Sequence, residues 1–202
     1  LDISGNINFS INDIIICMLN KNPNPKFLND CPTGEFLGMK YYYRILLGDD
    51  EEGFRSACLT NRMTDALHYE VNSLFDAAIV NTKRLMRPMW MPLNKLCKDW
   101  FGTDLPGGDL NIPMYVITNE KLLFGASSIF YKDILDELYN KIGEYYLIPS
   151  SIHEFLAVKA DIPSDIDSLF EMHNSVQSEQ VQSNEQLSDD IFKYNGDKLA
   201  IV

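Results

Sequence analysis

Met114-Tyr115-Val116-Ile117-Thr118, then Ser128–Ile142, then Tyr145-Tyr146-Leu147-Ile148, then Phe155–Ala160 are the segments whose reading decides the fold. The first, third and fourth are short apolar runs rich in β-branched and aromatic residues, and they read as strands, the third broken at Pro149. In the second, Ile129, Phe130, Ile134, Leu135, Leu138 and Ile142 recur on one side of a helix. Gly143 stands where a C-terminal cap belongs. Strands and helices in this order predict an α+β fold: a mixed, largely antiparallel sheet with helices packed mainly on one face.

Working outward, the same grammar recurs. Met39–Leu47 and Phe54–Thr60 read as strands of a hairpin joined by the polar loop Gly48-Asp49-Asp50-Glu51-Glu52-Gly53. Four consecutive acids invite a calcium reading, but an EF-hand needs acids at alternating positions, glycine at six and glutamate at twelve. That pattern is absent, and a solvated hairpin tip accounts for the run. Leu67, Val71, Leu74, Phe75, Ala78 and Leu85 follow a 3.6-residue period, so 67–85 reads as one amphipathic helix ended by Arg87-Pro88. Pro92 precedes a second helix, Leu93–Phe101, and Gly102, Pro106, Gly107 and Gly108 make a loop. No strand-turn-helix phosphate motif surrounds that glycine pair. Towards the N-terminus, Ile11–Leu19 fits either helix or buried strand, and Lys21-Asn22-Pro23-Asn24-Pro25 reads as a break.

Towards the C-terminus, Ile166, Leu169, Phe170 and His173 share a face of a helix over 165–176. A polar stretch, Ser175–Ser188, reads as a helix end and a loop. The chain then closes on a hairpin around Asn195-Gly196, a pair suited to a type I′ turn. A two-residue loop there sets Phe192 opposite Leu199, and Lys193 opposite Lys198 on a wet face. Two stretches also share an order: Leu59-Thr60-Asn61 and Ile117-Thr118-Asn119 each end a strand before a helix, with Met91-Pro92 and Ile148-Pro149 following. They suggest an internal strand–turn–helix repeat. In domain terms, 1–34 reads as an N-terminal segment left from a longer N-terminal region, and 35–202 as a single α+β domain.

With 202 residues, 46% of them hydrophobic, the chain has the material for a substantial core. Its net charge of −12, with 29 acidic against 17 basic residues, argues against nucleic acid, whose phosphates need Lys and Arg. The densest basic cluster is small: Lys83, Arg84 and Arg87. Cys17, Cys31, Cys58 and Cys97 are widely spaced and form no zinc signature or secreted disulfide framework. Reduced thiols and a cytoplasmic setting follow. The run Ile14–Leu19 is far short of the roughly 20 apolar residues a membrane span requires, so no membrane partner is expected.

The chemistry-bearing cluster is Ser150-Ser151-Ile152-His153-Glu154. A serine nucleophile, a histidine base and a carboxylate could make a hydrolase. Yet no G-x-S-x-G elbow surrounds either serine, and sequence neighbours seldom converge as a triad does. Pro149-Ser150-Ser151 equally serves as a turn. His153 and Glu154 could join His173 at a metal, but Ala157 occupies the second histidine position of H-E-x-x-H. No metal or other cofactor is expected. Asp133, Asp136 and Glu137 read as a solvated helix face, and Met86, Met89, Trp90 and Met91 as core packing.

Several stretches together resemble domain-of-unknown-function family 5688, an uncharacterised bacterial family found in anaerobic gut bacteria. They are Glu35-Phe36-Leu37, Glu51-Glu52-Gly53, Leu59-Thr60-Asn61, Asn81-Thr82 with Arg84-Leu85, Met114–Asn119 and Ile148–Glu154. The resemblance covers roughly residues 28–202, departs at His68-Tyr69 from the family's Gly-hydrophobic pair, and implies an N-terminally truncated bacterial protein. It implies no activity, cofactor or catalytic residue. The sequence therefore favours a non-enzymatic interaction module with a protein partner. The alternative is a hydrolase-like enzyme centred on Ser150, Ser151, His153 and Glu154.

Overall fold

The computed structural model describes residues 9–51, 53–67, 71–102, 113–161 and 166–202. Strand β1 (Ile14–Met18) settles the ambiguity at the N-terminus. All five of its residues are buried: Ile14 and Ile16 face one apolar cluster, Ile15 and Cys17 another. A strand covered on both faces shows no alternation, so its pattern could not be told from a helix. It pairs antiparallel with β3 (Met39–Asp50), Ile14 opposite Ile45.

The break at Lys21–Pro25 leads directly into a helix that was not expected, α1 (Pro25–Asp30). Asn24 caps it by accepting from the Lys26 amide at 2.9 Å, and Pro25 at the first position gives up an amide that would have no helical partner. Strand β2 (Thr33–Phe36) was also missed; it turns into β3 through Leu37 and Gly38, both at positive φ. Strand β4 (Gly53–Cys58) pairs with the far half of β3. The expected polar loop is largely ladder: Gly48, Asp49 and Asp50 pair with Arg55, Phe54 and Gly53. An ion pair from Asp50 to Arg55 at 2.6 Å lets an acidic tip remain paired.

Helix α2 (Asn61–Leu67) and helix α3 (Val71–Leu85) replace the expected helix over 67–85. Leu74 and Ala78 of α3 pack on Ile14 and Ile16. Its polar residues close the open edge of β1: Thr82 Oγ1 accepts from the Ile16 amide at 2.8 Å, and Asn81 Nδ2 donates to the Ile11 and Ile14 carbonyls. Buried backbone that lacks a strand partner is thereby satisfied.

The remaining strands are β5 (Pro88–Pro92), β6 (Met114–Asn119), β7 (Tyr145–Ser151), β8 (Glu154–Lys159), β9 (Phe192–Tyr194) and β10 (Leu199–Ile201). They form a second sheet in the order β10-β9-β7-β8-β6-β5. The α+β class and the antiparallel pairing hold, but the strands divide between two sheets. Strand β5 was not among the expected elements, whereas helix α4 (Leu93–Phe101), which follows it, spans the residues expected. Helix α5 starts later than its apolar pattern suggested, at Lys132 (Lys132–Ile142), because Gly125–Phe130 is a 3₁₀ turn and Tyr131 is extended. Its Ile134, Leu135 and Leu138 meet Tyr145, Leu147 and Phe155 on one face of the sheet. Leu169 of helix α6 (Ile166–Glu179) packs with Ile148 and Val158 on the reverse face. Met18 and Met39 of the first sheet belong to the same cluster as α5, so the two sheets share apolar contacts.

Two further expectations need correction. Pro149 does not break β7; it lies opposite Phe155, and the register shifts between it and Ser151. In the closing hairpin Leu199 pairs with Tyr194, Ala200 with Lys193 and Ile201 with Phe192, two residues off the expected register. The loop is Gly196-Asp197, because the Asn195 side chain accepts from the amides of Asp197 and Lys198 instead of entering the turn. Gly196, at φ +89°, is pressed on the ring of Tyr139, where an added Cβ would lie 2.6 Å away. A shift of two keeps every side chain on its face, so Phe192 still enters the core. The strand–turn–helix stretches make different connections: β4 and β5 lie in different sheets, β6 and β7 in the same one. The residues Pro106-Gly107-Gly108 and His68-Tyr69 lie outside the described residues.

Candidate functional site

Ser151, Ile152, His153 and Glu154 form the tight turn between β7 and β8, Ser151 facing Glu154. The Ser151 hydroxyl donates to Glu154 Oε1 at 3.0 Å and accepts from the His153 amide at 3.0 Å. Both of its principal hydrogen-bonding directions are therefore spent inside the turn. Ser150 contributes its backbone: Gln177 Nε2 of α6 donates to the Ser150 carbonyl at 2.5 Å and to that of Pro149 at 3.1 Å. These bonds lie at the register shift between Pro149 and Ser151.

His153 faces the other way. Its Nδ1 accepts from the Phe124 amide at 3.0 Å, which places the proton of the neutral ring on Nε2, 3.6 Å from Glu185 Oε1. Its carbonyl accepts from Thr118 Oγ1 at 2.9 Å. A general base needs a free nitrogen lone pair aimed at the nucleophile's proton. Here the lone pair points at a backbone amide, and the Ser151 proton points at Glu154. The fold thus brings Ser151, His153 and Glu154 together while directing each at a turn or loop contact. His173 is 1% exposed on α6, with Nε2 at 2.9 Å from the Ser188 carbonyl and burial lowering its pKa. Among the described residues no group of three metal-ligating side chains is assembled.

The partners of this turn were not visible as such in the sequence. Phe124 and Glu185 are remote from it in the chain, and Thr118-Asn119 signalled only a strand end. Asn119, 1% exposed, accepts from the Lys121 amide at 2.9 Å and donates to the Leu123 carbonyl at 2.8 Å, folding 119–125 into a compact loop.

A second constellation lies where α3, α5 and β5 meet. An open groove of about 880 Å³ is lined by Lys83, Arg84, Arg87, Pro88, Met89, Trp90, Glu120, Asp133, Ile134 and Glu137. The basic cluster and the Met/Trp patch noted in the sequence are thus one surface. Met86 leaves that patch for the core, whereas Met89 and Trp90 are half-buried beside the groove. Lys83 is held by Asp133 at 2.6 Å and Arg84 donates to the Asn12 carbonyl at 2.9 Å.

Strand β5 is also a sheet edge. The Arg87 carbonyl accepts from the Glu120 amide, so stepping by two directs the polar backbone of Met89 and Met91 towards β6. The alternate residues Pro88, Trp90 and Pro92 face outward, and two of those three lack an amide. The prolines cost the ladder nothing and blunt the edge against a further strand. Side chains therefore dominate what this surface offers.

The Met114–Asn119 strand and the Ile148–Glu154 turn, two of the stretches that carried the resemblance, form the adjoining walls of the first site. The chain belongs to DUF5688. This family of unknown function matches residues 6–196, a wider span than the resemblance suggested. No curated protein and no solved structure matches this DUF5688 chain. No helix among its described residues is long and apolar enough to cross a membrane.

Proposed function

We propose that the chain is a non-enzymatic interaction module that docks a protein partner on the groove formed by α3, α5 and β5. The observation that carries this reading is the gathering of Trp90, Met89, Arg84 and Arg87 on one accessible surface beside a proline-blunted edge. Trp, Met and Arg are the side chains enriched in the cores of protein interfaces, where large apolar area and planar cation contacts combine. With Lys83 neutralised by Asp133, the groove offers arginines on one side and Glu120 and Glu137 as further charges. The complementary partner brings carboxylates to Arg84 and Arg87 and an apolar side chain to Met89 and Trp90. Free cysteines at 17, 31, 58 and 97 support a reducing, cytoplasmic setting. The hydrolase reading draws no support from the hydrogen bonds of Ser151 and His153.

The test is affinity capture from the native cell with the wild-type chain and two variants, Trp90→Ala and Arg87→Glu, each checked for an unchanged thermal melt. A partner retained by wild type should fall at least tenfold with either variant, and its retention should weaken as salt rises. Equal capture by all three proteins would remove the groove from the interface.

A further inference from the structure

The loop 119–125 spans the two sheets. On the first-sheet side, Lys121 Nζ lies 2.6 Å from Asp49 Oδ2, and the Arg44 guanidinium sits 5.0 Å from the centre of the Phe124 ring. On the second-sheet side, the Glu120 amide donates to the Arg87 carbonyl at the start of the loop, and near its end the Phe124 amide donates to His153 Nδ1. The loop is bent to reach both: Leu122 and Phe124 have φ of 53° and 54°, a left-handed conformation unfavourable for bulky side chains. Such a conformation persists only while surrounding contacts impose it.

We propose that His153 is a proton-sensitive latch: its bare Nδ1 holds the 119–125 loop closed, and protonation of the ring releases it. An imidazolium carries hydrogen on both nitrogens and has no lone pair in the ring plane to accept with. Protonation therefore abolishes the Phe124 bond and sets two N–H groups against each other. The groups facing the ring give the released state a destination. Glu185, on the loop after α6, is 3.6 Å from Nε2 and pairs with the charged form. Glu154, the next residue on β8, is engaged by Ser151. Arg44, behind the Phe124 ring on β3, opposes a second cation, and Lys121 is paired with Asp49. The Phe124 ring lies 5.8 Å from the imidazole, so loop release separates the aromatic pair as well. The side chain of His153 is 20% exposed, which gives protons access without unfolding.

NMR on the intact chain tests the latch. At neutral pH the ring nitrogens should show the Nε2–H tautomer, and the Phe124 amide should be protected from exchange. Through the His153 titration, protection at Phe124 should drop at least tenfold, while the α5 amide of Leu138 stays protected. His153→Asn supplies a second arm, because the asparagine Oδ1 takes the acceptor's place without titrating; Phe124 should then stay protected across the same pH range. The proposal is overturned by a proton on Nδ1 at neutral pH or by Phe124 protection that ignores the titration. Loss at Phe124 and Leu138 together, or an unchanged pH step in His153→Asn, overturns it too.

Discussion

The pair Thr-Asn occurs twice at a strand-to-helix passage, as Thr60-Asn61 where the chain enters α2 after β4 and as Thr118-Asn119 at the end of β6. The fold uses the pairs in different ways. After β4, Thr60 caps α2: the Met63 amide donates to Thr60 Oγ1 at 3.3 Å, and Asn61 reaches across to the Asn29 carbonyl at 2.9 Å while remaining exposed. At the end of β6, Thr118 and Asn119 are each 1% exposed. Thr118 holds the His153 carbonyl, and Asn119 organises the loop that follows. Local preference is identical at the two places, so burial decides how much each hydrogen bond matters. A polar group facing water can exchange partners; one sealed from water cannot.

The sharpest way to break this contrast is Gly125→Ala, at the floor of the buried turn. An added Cβ would lie 2.2 Å from Thr118 Oγ1, 2.5 Å from the His153 carbonyl oxygen and 2.8 Å from the Asn119 amide. Two of those neighbours are backbone and cannot rotate aside. We expect a loss of about 3 kcal/mol or more in urea unfolding. A loss under about 1 kcal/mol would mean the junction is loosely packed and the comparison misplaced. Asn119→Ala follows. It removes a buried side chain and leaves the Lys121 amide and Leu123 carbonyl, whose bonds to it are part-buried, without their partner. The cost should be about 1–2 kcal/mol by the same measurement.

Thr60→Ala tests the less buried pair, in which Thr60 is half-buried and Asn61 exposed. It removes one helix cap and should lower stability by about 1 kcal/mol, with α2 fraying visible as faster amide exchange at Met63. An effect as large as that of Asn119→Ala would show that the two pairs are equivalent after all.

Much of this architecture was legible because apolar spacing reports burial on one side of an element. The α5 stripe and the runs at β6, β7 and β8 are of that kind. The failures have a common cause, which is that the deciding partner was distant. Ile14–Ile16 could not be assigned until both faces were seen to be covered. Pro88 and Pro92 read as interruptions, although prolines at alternate outward positions of an edge strand displace no ladder bond. In the site, Ser151, His153 and Glu154 were visible as a cluster because one tight turn unites them. Their directions were not visible, since the Phe124 amide and Glu185 that orient His153 come from other loops.

Asn61→Ala should have the smallest effect, and it is the most exacting check of the comparison. Its side chain makes a hydrogen bond of ordinary length, 2.9 Å, to the Asn29 carbonyl, and geometry alone would rank that bond with those of Asn119. Exposure ranks it differently: with Asn61 removed, water reaches the carbonyl at the surface and restores most of the lost interaction. The expected change is about 0.5 kcal/mol or less, measured as a urea midpoint shift at constant slope. A cost approaching 2 kcal/mol would show that the junction between α1 and α2 depends on this contact, and that burial is not what separates the two Thr-Asn turns.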